Sequence, residues 1–199
     1  IDNFKSNNKF FKKNKISNEK QIISLLPGSR SQEINLMLPI FLTLKNRFSN
    51  YEFIVAGVKN VDKSVYQVAF DFNVKVIYDQ TYDLLSNSSI AVVTSGTASL
   101  ECALFNVPQI VCYKTSRISY LIGKSFIKLN YISLVNIILK NKVVEELIQD
   151  EFTEETLFNN LTSLINGDII PFMLNEYSKI YSLLAIQKTS KKIAMSITN

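Results

Sequence analysis

Five short apolar runs punctuate the chain: QIISLLP (21–27), YEFIVAGV (51–58), VKVIYD (74–79), IAVVTS (90–95) and PQIVCYK (108–114). Most are nearly continuous in Val, Ile, Leu and Ala rather than alternating with polar residues, which is the pattern of strands covered on both faces. Between them lie segments that suit helices at 29–50, 61–72, 81–87 and 96–106, with Pro39 expected to break or kink the first. Strand–helix alternation with short connections predicts an α/β fold, a Rossmann-like parallel sheet flanked by helices.

Beyond Lys114 the sequence shows no further clear strand. Helices are expected at 116–129, 144–149, 154–166 and 171–186, the last continuing towards 197, with an irregular apolar segment at 131–142. Residues 1–20 are rich in Lys and Asn, lack sustained periodicity, and read as a basic linker outside the core. The expected organisation is therefore a linker at 1–20, a Rossmann-like domain at 21–170, and carboxyl-terminal helices at 171–199. In those helices Tyr177, Ile180, Tyr181, Leu183 and Leu184 form an apolar face suited to another domain or to a second copy of the chain. The chain opens on Ile rather than Met, and reads as a piece of a longer protein.

Composition removes several chemistries. The 199 residues include no histidine, which excludes imidazole bases and His-ligated metal sites within this chain. Cys102 and Cys112 lie in apolar runs, lack metal-knuckle spacing, and read as reduced, buried thiols. No apolar run approaches the roughly 18 residues of a membrane span, and no signal peptide opens the sequence. The expected compartment is the cytosol or its membrane surface.

Charge is unevenly placed. Six lysines in 1–20 account for most of the net +5; six basic residues and no acid lie between Glu101 and Glu145; six acids then fall in 145–155. Such blocks suit either solvated faces or interaction surfaces. The bases are not interleaved with aromatics, so nucleic acid is not an expected partner.

Two strand ends carry chemistry. In LLPGSRSQE (25–33), Gly28 permits a sharp turn and close approach of a ligand, while Ser29 and Arg30 begin the next helix. A helix start offers unpaired N–H groups and partial positive charge, and an arginine adds planar bidentate contact to phosphate. The plain alternative is an ordinary strand-to-helix turn with a surface arginine. In TSGTASLE (94–101), Ser95, Gly96, Thr97 and Ala98 form a second such turn, and Glu101 follows one helical turn after Thr97 on the same face. A diphosphate over the amides of 96–98 places Glu101 near a ribose, whose hydroxyls suit a carboxylate. Here the plain alternative is a Thr-capped helix with a solvated glutamate. Neither turn has the G-x-G-x-x-G or P-loop spacing. Both would face one edge of the sheet, and together they point to a nucleotide-sugar site.

The strings LLPGSRSQEI (25–34), SGTASLECAL (95–104), VPQIVCYK (107–114), YISLVNII (131–138) and VVEELIQ (143–149) resemble the lipid-A-disaccharide synthase family in order and spacing. The resemblance runs from about Gln21 to the final helices and implies the carboxyl-terminal, nucleotide-binding half of a two-domain GT-B glycosyltransferase. It further implies inverting transfer of 2,3-diacylglucosamine from its UDP carrier to 2,3-diacylglucosamine 1-phosphate (lipid X), with no metal and no cofactor. UDP contacts then fall on Gly28, Ser29, Arg30, Ser95, Gly96, Thr97, Ala98 and Glu101, with Arg30 stabilising the departing diphosphate. Asn136 stands where the family reads SLPN, here SLVN, and is the remaining candidate contact to uridine or donor sugar. The catalytic base belongs to the family's amino-terminal half, so no residue of this chain is assigned that role.

Helix 116–129 is apolar and basic, with Arg117, Lys124 and Lys128, and is a candidate surface for anionic membrane as well as for burial. The family resemblance places such an enzyme in the cytoplasm, peripheral to the inner membrane of a Gram-negative bacterium. Two alternatives stand beside this reading. One is another GT-B UDP-sugar enzyme of GlcNAc-transferase or epimerase type. The other is a non-catalytic module that binds nucleotide or membrane.

Overall fold

The computed structural model describes residues 4, 9–115 and 130–197. Its centre is one sheet of six parallel strands: β1 (Gln21–Leu26), β2 (Tyr51–Gly57), β3 (Lys75–Tyr78), β4 (Ser88–Thr94), β5 (Gln109–Tyr113) and β6 (Glu145–Ile148). Their order is β3-β2-β1-β4-β5-β6. The Rossmann-like α/β class expected from the sequence is therefore present. Ile23, Leu25, Val55, Ala91, Val92, Val93 and Val111 are all buried along these strands. Their continuous apolar character follows from helices packing on both faces.

The helices are α1 (Phe10–Asn14), α2 (Ser31–Thr43), α3 (Gln67–Asp71), α4 (Thr81–Leu85), α5 (Thr97–Leu104), α6 (Leu134–Leu139), α7 (Glu154–Asn166) and α8 (Ile169–Ile197). Pro39 does not break α2, which runs through it. Leu38, Phe41 and Leu42 on either side are fully buried, and their packing offsets the roughly 3 kcal/mol a helix-interior proline costs.

Three expectations are corrected. Segment 144–149, expected as a helix, contains β6, which pairs with β5 from Ile110–Glu145 to Tyr113–Ile148. The strand is only four residues long and begins with two glutamates, which propensity alone places elsewhere; pairing with β5 overrides it. The apolar segment 131–142 contains the short helix α6. Residues before Gln21 do not all stay outside the core: α1 buries Phe10 completely and Ile16 is also buried. Asn14 on α1 exchanges side-chain hydrogen bonds with Gln80, at 3.2 and 3.3 Å, tying this segment to the connection after β3.

The final helix is partly internal. Tyr177 and Ile180 are fully buried, and Gln109 Nε2 links the Tyr177 hydroxyl (3.1 Å) to the Ser99 carbonyl (2.9 Å). Tyr181 and Leu183 remain exposed, although the Tyr181 hydroxyl donates to the Leu104 carbonyl. The basic helix expected at 116–129 lies outside the described residues. No helix among the described residues is long and apolar enough to cross a membrane.

Candidate functional site

Strand order reverses at the β1–β4 seam: the chain runs outward from β1 through β2 to β3, then returns to β4 on the other side. Connections leaving the carboxyl ends of β1 and β4 diverge there and leave a crevice, the usual ligand position in such sheets. Leu26 pairs with Val93 at this edge, so the turns that follow, Pro27–Arg30 and Ser95–Gly96, stand side by side. They open into a cleft of about 320 Å³.

Eight of the nine candidate residues line it: Gly28, Ser29, Arg30, Ser95, Gly96, Thr97, Ala98 and Glu101. Gly28 and Gly96 have φ of +119° and +131°, values that L side chains rarely adopt, which is why each strand-to-helix turn carries glycine. Gly96 is the N-cap of α5, and no side chain caps that helix. The Thr-capped alternative is thereby excluded; the first-turn amides of α5 lack a side-chain cap, and Gly96, Thr97 and Ala98 line the cleft. Ser95 is held by its neighbours, its Oγ donating to the Ile132 carbonyl at 2.9 Å.

Glu101 is half-buried, and that burial pushes its carboxyl above the ordinary carboxylate value. The Tyr82 hydroxyl lies 3.5 Å from Glu101 Oε1. Tyr82 is itself packed on Phe105 and Phe4, at ring separations of 5.3 and 5.9 Å. Burial, followed by the Glu101 charge, raises the Tyr82 phenol. The carboxylate is thus carried on a fixed helix, beside an aromatic cluster and facing the cleft.

Arg30 is exposed and pairs with Glu33 at 3.1 Å. Glu33 also lines the cleft, as do Leu26, Ala56, Val58, Thr81 and Thr94. Sequence reasoning missed these; Glu33 stood within the quoted motif, but its role depends on the fold of the turn.

Asn136 is not part of the cleft. It is fully buried; its Oδ1 accepts from the amides of Val143 and Val144 at 2.8 and 3.0 Å, and its Nδ2 donates to the Val144 carbonyl and to Glu146 Oε1. Glu146 in turn accepts from the backbone amides of Ile132 and Ser133 and from the Ser133 hydroxyl. The expectation of a ligand contact at Asn136 is corrected: its amide is spent on joining α6 to β6. Cys102 and Cys112 are free and buried. Among the described residues no group of three or more His, Cys, Asp or Glu side chains is gathered as a metal site.

A sequence model described as lipid-A-disaccharide synthetase matches residues 1–195. A lipid-A-disaccharide synthase from a Sulfurihydrogenibium species is 37% identical over 164 residues, covering 74% of this chain and 42% of that protein. The chain spans half or less of the length of this and the next curated relative it matches. Among solved structures, a putative UDP-N-acetylglucosamine 2-epimerase from Listeria monocytogenes aligns with a TM-score of 0.55 and 12% identity, covering 96% of this chain and 50% of that one. WaaG, a glycosyltransferase involved in lipopolysaccharide biosynthesis, aligns with a TM-score of 0.51 and 12% identity, covering 84% and 44%. These two likenesses are of fold, and they agree with the GT-B half expected from the sequence.

Proposed function

The chain belongs to the lipid-A-disaccharide synthetase family, and on that premise we propose that it is the donor-binding part of an inverting glycosyltransferase of lipid A assembly. The donor is UDP-2,3-diacylglucosamine and the acceptor is lipid X. The observation that carries this reading is the convergence of two glycine-turned helix starts on one cleft at the β1–β4 seam. Both starts present amides to an anion, which suits a diphosphate.

In this reading the diphosphate lies between Gly28–Arg30 and Gly96–Ala98, and Glu101 accepts from the ribose hydroxyls. As the glycosidic bond to UDP breaks, negative charge grows on the departing diphosphate. The α2 and α5 starts and Arg30 stabilise that charge without a metal. The base that takes the proton from the acceptor 6-hydroxyl comes from the other half of the family's proteins. The chain alone therefore binds UDP and does not turn over. The basic, apolar segment 116–129 is the proposed contact with anionic lipid at the cytoplasmic face of the inner membrane, and the exposed side of α8, with Tyr181 and Leu183, the proposed contact with the other half or a second copy.

Thermal shift with UDP, ADP and inorganic phosphate tests the donor site. A UDP-selective rise that is lost in Glu101→Ala and Arg30→Ala is expected. No shift at millimolar UDP favours a non-catalytic module instead, and transferase turnover by the chain alone overturns the assignment of the base. Sedimentation with anionic vesicles tests the membrane contact, for which salt-sensitive binding is expected.

A further inference from the structure

Two of the donors assigned above to the diphosphate, the Ser29 amide and one Arg30 Nη, are already engaged at the first turn. Glu33, at the third position of α2, turns its carboxylate back over that turn. One oxygen accepts the Ser29 amide at 3.1 Å, and the other meets Arg30 Nη1 at 3.1 Å. The carboxylate also lies against Gly28: a Cβ placed there would sit 2.6 Å from Glu33 Oε2 and 2.9 Å from Glu33 Cβ. Glu33 is on the wall of the same cleft as Ser29 and Arg30, so a ligand that reaches that turn meets its charge beside the turn's donors.

A carboxylate and a phosphate ask for the same partners, since both are anionic acceptors suited to a backbone N–H and a guanidinium. A diphosphate that reaches the first turn must take the Ser29 amide from Glu33, or share Arg30 with it and bind beside its negative charge. Both routes weaken binding. The contacts are made by the two oxygens of one side chain, so a single change of Glu33 rotamer frees both donors together.

We propose that Glu33 is an internal stand-in for phosphate and a specificity-determining residue, one that sets how strongly the first turn takes the diphosphate of a nucleotide. The proposal rests on the nucleotide reading of the cleft. Its effect falls on phosphate-bearing ligands alone, because a nucleoside without phosphate does not compete for the Ser29 amide or Arg30.

Calorimetric titration of the chain with UDP and with uridine tests this, using the unaltered protein, Glu33→Gln and Glu33→Ala. Glutamine is accepted at the third helical position and can keep the Ser29 hydrogen bond, so the helix start persists in that variant. Removing the competing charge is expected to tighten UDP about threefold, in keeping with the modest worth of exposed ion pairs, and to leave uridine unchanged. UDP binding that is equal or weaker in both variants overturns the role of Glu33, as does an equal tightening of uridine. Failure of the unaltered chain to bind UDP overturns the nucleotide reading, and this proposal with it.

Discussion

Asn136 Nδ2 lies 2.8 Å from Glu146 Oε1, and this bond fastens α6 to the edge strand β6. The same amide satisfies the buried N–H groups of Val143 and Val144. Truncation strands several buried polar groups at once, so Asn136→Ala is expected to lose about 2–4 kcal/mol of stability. Urea denaturation measures this. The folded variant should bind UDP as the unaltered chain does, and a selective loss of UDP affinity would return Asn136 to the site.

Burial sets the proton affinity of Glu101. Its carboxyl is raised above the ordinary 4.5, so the folded state holds the proton more tightly than the unfolded state. That contribution to stability is fully present below the unfolded value and is lost as pH rises through the raised value. Denaturation midpoints for the chain and for Glu101→Gln, taken between about pH 4 and pH 8, should differ by a term that grows with pH in favour of glutamine. Parallel curves contradict the raised value.

Gly28 and Gly96 share a left-handed backbone but not their surroundings. A Cβ at Gly96 meets nothing within 4 Å, so Gly96→Ala should cost only backbone strain, about 1–3 kcal/mol. At Gly28 the added atom also strikes Glu33. Gly28→Ala is therefore expected to be the more destabilising of the two by thermal or chemical melting, and equal losses argue against the packing of Glu33 over the turn.

Both cysteines are completely buried, and burial raises both thiols above their ordinary value. Neither forms thiolate readily, so neither should react with a thiol-directed disulfide reagent in the native chain. Two equivalents should react in denaturant. Rapid native labelling would show that α5 or β5 opens under native conditions.

Phe10 joins the core from a lysine-rich segment, against the sequence expectation. Phe10→Ala is expected to cost about 3–5 kcal/mol, the range for emptying a buried aromatic position. A denaturation midpoint close to that of the unaltered chain would place 9–16 outside the cooperative unit.

The legible parts of this molecule were those with a local cause. Strands β1, β2, β4 and β5 announce themselves because burial on both faces demands uninterrupted apolar residues, and both turns show as Gly with Ser or Thr directly after such a run. Other features depend on partners distant in the chain. Strand β6 begins with Glu145 and Glu146 and exists through its pairing with β5. Asn136 was expected at a ligand from its place in the family string, here SLVN; its actual partners, Val143, Val144 and Glu146, gather around it only once that strand is formed. Phe10 and Ile16 lie among lysines and asparagines too sparsely for any periodicity to single them out. Glu33 lay within a recognised motif, yet its contact with Ser29 arises from the backbone of the turn at Gly28.

The β1–β4 seam has a bearing on folding as well as on binding. Its two turns come from distant parts of the chain and become neighbours only when Leu26 has docked beside Val93. A partly folded chain holding either β-α unit alone has half a cradle. A nucleotide that grips both turns is thus a ligand of the finished sheet alone, and each multiple of its dissociation constant in solution draws the folding equilibrium towards closure of that central seam.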